Sequence, residues 1–187
     1  MKKIIPQGPV LVELVGPSGG GKSTYAKQFS PNEIVSMDAL RAEIAGDFRR
    51  QDMNDVVSTE FDRRICTRLE AGLRVVADAT HIRDNDRRRT ARLATKYGAR
   101  VIYLVVDRPL MTKMKTADWR AGVRLNGKEL VVAHDETFHA NESKILNGDG
   151  IAQVIDTRKD IPDIVMPLAR DPFETWPVEQ APLFDIT

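Results

Sequence analysis

Short apolar runs rich in β-branched residues alternate with longer amphipathic segments along most of the chain. The apolar runs predict five β-strands, at residues 10–15, 34–36, 73–77, 101–106 and 152–155. The amphipathic segments predict helices at residues 22–29, 55–71, 84–97 and 129–142, with one further helix beginning at Ala39 and another opening at Pro109. Because strands and helices alternate, we expect an α/β fold in which helices flank a parallel five-stranded sheet. Its ligand site is expected at the carboxyl ends of the strands.

The predicted helix at residues 55–71 has the most regular pattern. Apolar residues recur there at every fourth position, at Val57, Phe61, Ile65 and Leu69. Cys66 lies beside this stripe, where we expect a buried core thiol. It is the only cysteine of the chain, which excludes an intramolecular disulfide and a zinc site built from paired cysteines.

The C-terminal segment departs from the alternating pattern because prolines recur in it, at Pro162, Pro167, Pro172, Pro177 and Pro182. Proline excludes a long helix and a central strand. We therefore expect one domain over residues 1–160 and an extended proline-rich tail over residues 161–187. Trp176 and Phe184 suggest that the tail packs on its own domain or on a second subunit, and the oligomeric state stays open.

Composition describes an ordinary globular protein, with 42% hydrophobic and 29% charged residues. No stretch reaches the roughly 18 apolar residues of a membrane span, and no signal peptide is recognised at the N-terminus. We therefore expect no membrane association and a cytoplasmic location. The net charge of +1 gives no general attraction to nucleic acid, so a site for a polyanion would have to come from a local cluster of arginines.

A glycine-rich segment, G-P-S-G-G-G-K-S at residues 16–23, joins the first predicted strand to the first predicted helix. Such a turn directs consecutive backbone N–H groups at one point, where phosphate oxygens bind. The pattern is that of a P-loop, in which Lys22 reaches the β- and γ-phosphates and the Ser23 hydroxyl binds Mg²⁺. We therefore predict a P-loop NTPase-type site for ATP and Mg²⁺. The residues of this segment predicted to bind ATP are Gly16, Ser18, Gly19, Gly20, Gly21, Lys22, Ser23 and Thr24.

Asp38 and Arg41 follow the second predicted strand, whose end lies beside the γ-phosphate in a fold of this type. A carboxylate at that place can accept the proton of an attacking hydroxyl. An arginine one helical turn later can hold a phosphate of the acceptor through two hydrogen bonds. The alternatives are a plain helix N-cap for Asp38 and a solvated surface side chain for Arg41.

With these features, the chain resembles the P-loop kinase module of phage and bacterial polynucleotide 5′-kinases. The likeness covers residues from about 10 to 156. It rests on Lys22 and Ser23 in the P-loop, Asp38 with Arg41, the Asp78-Ala79-Thr80 turn after the third strand, and an arginine-bearing segment after Pro109. It implies a P-loop kinase domain over residues 1–160, with a helical lid at about 109–145.

The resemblance also implies residue roles. Lys22, Asp38, Arg41 and Arg120 become the catalytic residues, with Asp38 as the general base and Arg120 as the lid cation. Arg120 and Arg124 would contact ATP, and the Mg²⁺ held by Ser23 would meet Asp38 or Asp78 through water. The acceptor site implied in this way consists of Asp38, Arg41, Asp78, Thr80, His81, Leu130 and Val131. The family usually has asparagine where this chain has His81.

The function expected from these features is transfer of the γ-phosphate of ATP to a hydroxyl of nucleic acid, with a polynucleotide 5′-OH as the default acceptor. Three alternatives remain open. They are a phage kinase acting on 5-hydroxymethylpyrimidine in DNA, a small-molecule kinase, and a nucleotide-binding module without catalysis. A cluster of arginines in the predicted helix at 84–97 and just before it either follows a nucleic-acid backbone or is a solvated face: Arg83, Arg87, Arg88, Arg89 and Arg92.

Overall fold

A computed structural model describes residues 9–47, 51–119 and 127–159 of the chain. It contains a parallel five-stranded sheet with the strand order β2-β3-β1-β4-β5. The strands are β1 (Val10–Val15), β2 (Ile34–Ser36), β3 (Val75–Asp78), β4 (Arg100–Val105) and β5 (Gln153–Asp156). The predicted α/β class and parallel five-stranded sheet are therefore confirmed.

Helices connect the strands and cover both faces of the sheet. They are α1 (Lys22–Ala26), α2 (Met37–Ala45), α3 (Asn54–Glu70), α4 (Asp84–Lys96), α5 (Leu110–Trp119) and α6 (Gly127–Leu146). Short 3₁₀ turns are formed by Pro31–Glu33, Gln51–Met53, Gly148–Gly150 and Thr157–Lys159. No helix within the described parts of the chain combines the length and the apolar character that a bilayer crossing requires.

Strand β1 is the centre of the core, because all six of its residues are buried between β3 and β4. Its side chains alternate between the two faces of the sheet. On one face, Val12 and Leu14 pack in a cluster with Phe29, which follows α1. On the other, Leu11 packs in a cluster with residues of α3 and α4, and Val15 in a third cluster with residues of α6. The strand that leads into the phosphate loop is thus held on both sides.

Some boundaries differ from the predicted ones. Helix α1 ends at Ala26 rather than at residue 29, because the amides of Gln28 and Phe29 bond three residues back in tight turns. Helix α2 begins at Met37, and the Ser36 side chain accepts the hydrogen bond from the amide of Ala39. The N-cap of α2 is therefore Ser36, and the N-cap alternative for Asp38 is wrong. Residues 120–126 of the predicted lid and the predicted tail at 161–187 lie outside the described residues.

Candidate active site

The carboxyl ends of β1, β2 and β3 open into a cavity of about 550 Å³. Three segments form most of its wall: the phosphate loop after β1, the start of α2 after β2, and the β3–α4 loop after β3, which comprises residues 79–83. Helices α3, α4, α5 and α6 contribute further residues of the wall, among them Phe61 and His134. Side chains from loops and helices after several strands thus meet where a parallel sheet places its ligand.

The phosphate loop passes so close to neighbouring chain segments that side chains are excluded from it. A Cβ atom on Gly16 would lie 1.9 Å from the carbonyl oxygen of Val106, which follows β4. Gly21 has a φ of 103° and caps the N-terminus of α1, a backbone conformation that favours glycine. These glycines keep the backbone N–H groups of the loop accessible to phosphate oxygens.

Lys22 and the two hydroxyl residues after it stand at the start of α1. The Lys22 ammonium donates to the carbonyl oxygens of Gly16 and Pro17 at 2.8 and 2.9 Å, and thus spans the loop. Ser23 and Thr24 are exposed and line the cavity. The arrangement can bind phosphate groups with Lys22 as the cation, and the hydroxyl of Ser23 is a ligand type that suits Mg²⁺.

Asp38 and Arg41 line the same cavity on the side of α2. Arg41 donates from Nη1 to Asp38 Oδ1 at 2.9 Å, and from Nη2 to Asn54 Oδ1 at 3.1 Å. The Arg41 side chain is 14% exposed, whereas that of Asp38 is 49% exposed. A carboxylate that reaches the cavity is thus backed by a largely buried guanidinium.

The β3–α4 loop is attached to the end of β1 by two hydrogen bonds. The Gly16 amide donates to the carbonyl oxygen of Thr80 at 2.9 Å, and His81 donates from Nδ1 to the carbonyl oxygen of Leu14 at 3.1 Å. Asp78 is the last residue of β3, between Leu14 of β1 and Ser36 of β2 in register. The β3–α4 loop is therefore hydrogen-bonded directly to the end of β1 and to the first residue of the phosphate loop.

His81 has a φ of 48° and is only 3% exposed, although it contributes to the wall of the cavity. Burial, together with the nearby charges of Lys22 and Arg87, lowers the pKa of His81 to about 4, although the hydrogen bond to Leu14 opposes this effect. Its ring is neutral at physiological pH, and Nδ1 carries the proton because the partner is a carbonyl oxygen. In the structure His81 is a buried packing residue that shapes the loop.

The two acceptor residues predicted on α6 lie in different environments. Leu130 lines the cavity, whereas Val131 is 5% exposed and packs inside the protein. Of the two residues expected to form an apolar wall, Leu130 therefore lines the cavity and Val131 does not. The lid arginines Arg120 and Arg124 lie outside the described residues.

Arg108 and His134 are among the cavity residues that no local sequence motif indicates. Arg108 lies over the phosphate loop, where a Cβ atom on Gly21 would be 2.8 Å from its Nε. His134 of α6 forms a hydrogen bond of 2.8 Å between its Nδ1 and the Oγ of Ser18. Burial lowers the pKa of His134, and the charges of Lys22 and Arg83 act in the same direction. Arg108 follows β4, so its place at the same sheet edge was readable from the strand order, whereas nothing in the local sequence of His134 indicates its contact.

The arginines of the predicted basic cluster do not form one face. Arg87 is fully buried against Asp149, and Arg89 makes two hydrogen bonds to Asp62. Arg83 lines the cavity and is exposed, and its guanidinium makes no hydrogen bond or ion pair with the residues that the structure describes. Arg87 therefore does not belong to a cationic surface along α4, because its side chain is buried and paired with Asp149.

A buried lysine stands behind the phosphate loop. Lys113 of α5 donates to Asp107 at 2.6 Å and also to Asp135 of α6, and its backbone packs against Gly19. Asp107, Asp135 and His139 bring potential ligand atoms within 4.8 Å of one another. Because the Lys113 ammonium already supplies the positive charge between the two carboxylates, this cluster is an internal ion pair that joins α5 to α6.

A parallel α/β sheet, a phosphate loop with lysine and serine at its end, and a carboxylate beside the same cavity define a kinase-like P-loop domain. The chain belongs to the family described as AAA domain, whose model matches residues 11–141. No sequence relative was found among curated proteins.

Solved structures with this fold include proteins of several activities. A chain of the Pnkp1/Rnl/Hen1 RNA repair complex aligns with a TM-score of 0.64 and 22% identity over 77% of this chain and 48% of its own. This chain therefore spans about half the length of that protein. A candidate kinase from Chloroflexus aurantiacus aligns with a TM-score of 0.59 and 18% identity over 87% of this chain and 97% of its own. The APS kinase CysC of Mycobacterium tuberculosis, in complex with AMPPNP and APS, aligns with a TM-score of 0.55 and 15% identity over 91% of this chain and all of its own. At these identities the likeness establishes the fold.

Proposed function

We propose that the protein is an ATP-dependent kinase that transfers the γ-phosphate to a hydroxyl of nucleic acid, with the 5′-OH of a polynucleotide as acceptor. The observation that carries the proposal is that Asp38, backed by Arg41, and the phosphate loop with Lys22 line one cavity. Nucleotide binding alone needs the loop but neither a carboxylate nor a second cation facing it. The pair makes the cavity two-sided, with a place for the donor and a place for the acceptor.

On the donor side, the backbone of the phosphate loop and the Lys22 ammonium would hold the β- and γ-phosphates of ATP. Ser23 would hold Mg²⁺, with Asp38 or Asp78 in contact through water, since hydroxyl and carboxylate oxygens suit this ion. When bound, Mg²⁺ supplies positive charge to the phosphate oxygens. Arg108, over Gly21, adds a further cation at the loop. Preorganised cations of this kind stabilise the charge of the transferring phosphoryl group.

On the acceptor side, Asp38 would accept the proton of the attacking hydroxyl. The hydroxyl oxygen forms a bond to the γ-phosphorus, and the bond from that phosphorus to the β,γ-bridging oxygen breaks, so that ADP leaves. Arg41 holds the Asp38 carboxylate in place and offers its guanidinium to a neighbouring phosphate of the acceptor. Arg120, and second Arg124, remain the proposed lid cations.

Two observations support nucleic acid as the acceptor. The wall of the cavity contains the exposed cation Arg83 in addition to Arg41, as a polyanionic acceptor would require. The RNA repair complex that aligns with this chain is also consistent with an acceptor of this class. The structural likeness extends to a small-molecule kinase, so the acceptor has to be decided by experiment.

The deciding experiment offers γ-labelled ATP with three acceptors in parallel: a 5′-OH oligonucleotide, duplex DNA that contains hydroxymethyluracil, and free nucleosides. We expect label on the 5′-OH oligonucleotide. Label on the modified duplex alone would identify a kinase of DNA bases, and label on the nucleosides alone would overturn the nucleic-acid proposal. Hydrolysis of ATP without any labelled acceptor would overturn the assignment of Asp38 and Arg41 to an acceptor site.

The role of Asp38 gives a first prediction. Asp38→Asn should lower kcat by about 10²- to 10⁴-fold, because the amide cannot accept the proton, and should leave ATP binding intact. Lys22→Ala should instead weaken ATP binding itself. Steady-state kinetics and calorimetric titration with ATP separate the two effects. An Asp38→Asn enzyme with wild-type kcat would remove the general base from the proposal.

A further inference from the structure

The fully buried side chain of Arg87 on α4 has three hydrogen bonds that no step of the proposed reaction uses. Its guanidinium donates from Nε and Nη2 to the two carboxylate oxygens of Asp149, at 2.6 and 3.0 Å. The remaining terminal nitrogen, Nη1, donates to the backbone carbonyl oxygen of His81 at 3.0 Å. Both side chains of the ion pair are inaccessible to solvent. One guanidinium therefore joins the turn before β5 to the loop after β3.

Both residues that Arg87 contacts have unusual backbone conformations. His81 has a φ of 48° and Asp149 a φ of 50°, and among the described residues they are the non-glycine positions with positive φ. Residues in this region of conformational space persist where the surrounding structure fixes them, and they concentrate at functional sites. The guanidinium of Arg87 fixes both of them.

The β3–α4 loop is held at its other side by the end of β1. Thr80 accepts the hydrogen bond from the Gly16 amide, and the His81 ring donates to Leu14. The first residue of the phosphate loop and the loop that follows Asp78 are therefore in direct contact. A shift of His81 would move Thr80 and, through it, Gly16.

We propose that Arg87 and Asp149 are positioning residues, which fix the β3–α4 loop against the phosphate loop and thereby align the acceptor side of the cavity with the donor side. The inference rests on the proposed kinase function. Neither residue touches substrate in this role. Their effect passes through His81 and Thr80 to Asp78 and Gly16.

A second ion pair of the same kind provides a matched control. Arg74 donates from Nε and Nη2 to the two carboxylate oxygens of Glu33 at 3.0 and 2.9 Å, and the two side chains are 7% and 4% exposed. Glu33 precedes β2 and Arg74 precedes β3, so the pair lies at the amino ends of the strands. Neither residue lines the cavity. The Arg74–Glu33 pair matches the Arg87–Asp149 pair in its chemical groups and its burial, but it lies at the amino ends of the strands, away from the cavity.

The experiment compares Asp149→Asn with Glu33→Gln in the full chain, at a temperature well below the melting temperature of both. Asp149→Asn should lower kcat by about 10- to 100-fold while KM for ATP stays within about threefold, because misplacement of reacting groups by about 1 Å has effects of this size. Hydrogen exchange of the Gly16 amide, followed by NMR, should become faster. Glu33→Gln should lower the melting temperature and leave both of these quantities unchanged.

Arg87→Lys provides a second test if Asp149→Asn does not fold. The lysine ammonium retains the charge opposite Asp149 but lacks the fork that also reaches His81. We expect the loss of kcat and the faster Gly16 exchange to persist in this variant with a smaller loss of stability.

Equal effects of Asp149→Asn and Glu33→Gln on kcat, or unchanged Gly16 exchange in the Asp149 and Arg87 variants, would overturn the positioning role. If the wild-type protein phosphorylates no acceptor, the proposed function fails. The Gly16 exchange then still decides whether Arg87 and Asp149 hold the loop.

Discussion

At the scale of single residues, the most unusual group is the Glu13 carboxyl, which lies in the middle of β1 without any exposure to solvent. Neither of its oxygens has a hydrogen-bond partner among the residues that the structure describes. Burial raises the pKa of Glu13 well above its usual range, although the Arg87 charge opposes this effect. Burial therefore favours the protonated form of Glu13, and Asp149 is the carboxylate that is paired with Arg87.

His81 gives a prediction about pH. Its pKa is about 4 in the folded protein and 6.5 as an ordinary histidine. Between these values the unfolded chain binds a proton that the folded protein does not. The contribution of His81 to stability is therefore present above about pH 6.5 and is lost as the pH falls towards 4. The loss amounts to about 3 kcal/mol at most.

His81→Asn tests this prediction, because asparagine tolerates a positive φ and does not titrate. We expect the difference in the free energy of unfolding between wild type and variant to become smaller by up to about 3 kcal/mol between pH 7 and pH 4. Urea denaturation of both proteins at the two pH values measures it. Parallel pH profiles would show that His81 does not change its protonation on unfolding in this range.

At the scale of elements, the arginines of α4 and of the residue before it lie in different environments. Arg87 is buried inside the protein, Arg89 pairs with Asp62 while its side chain is 41% exposed, and Arg88 pairs with Asp84 at 2.8 Å on the surface. Arg89 and Arg83, the residue before α4, line the cavity, whereas Arg92 lines a separate surface groove on the side of Arg100 and Gln153. Of the two that line the cavity, Arg83 is the one whose guanidinium has no carboxylate partner among the described residues.

This distribution predicts different responses to salt for two arginines of the same helical segment. Arg83→Ala should raise KM for a 5′-OH oligonucleotide and reduce the slope of log KM against log salt concentration by about one, since one phosphate contact is lost. Arg92→Ala serves as the control and should change neither quantity. An unchanged slope in Arg83→Ala would mean that this residue does not contact a phosphate of the acceptor.

The elements themselves were largely predictable from the sequence, because apolar periodicity is a local property. The period of four in α3 and the apolar run of β1 both lie where the pattern predicts them. The end of α1 at Ala26 was not predictable, because its tight final turns depend on the packing of Phe29 in the core.

The candidate site was predictable only where its residues are close together in the sequence. The phosphate loop and the pair of Asp38 and Arg41 are local motifs. The contact of Arg87 with Asp149 joins residues 62 positions apart, and that of Ser18 with His134 joins residues 116 positions apart. The sequence pattern therefore groups Arg87 with the surface cations, since its partner belongs to a distant turn.

At the scale of the whole molecule, ATP binding should stabilise the fold, because the phosphate loop exists only in the folded chain. With ATP at about 100 times its Kd, the gain in the free energy of unfolding is about 2.7 kcal/mol. For a domain of this size, the melting temperature should rise by roughly 5–10 °C. Thermal unfolding followed by circular dichroism, with and without ATP and Mg²⁺, measures the shift.

Lys22→Ala should lose most of this stabilisation, and chelation of Mg²⁺ should reduce it in the wild-type protein. Asp38→Asn should keep most of it, because the loop backbone, Lys22 and Ser23 are the groups proposed to hold the nucleotide and its Mg²⁺ directly. An undiminished shift in Lys22→Ala would place ATP elsewhere on the molecule.

The central position of β1 also determines when the protein becomes able to bind its nucleotide during synthesis. In register, Leu11 pairs with Val75 on one side and with Val101 on the other. Strand β1 is therefore synthesised before both of its partners, which pair with Leu11 from 64 and 90 positions further along the chain, and its pairing has a high contact order. The glycines of the phosphate loop acquire their fixed conformation only after Val106 has been added. An ATP-binding nascent chain should first be detectable once β4 has emerged, however early its signature residues were translated.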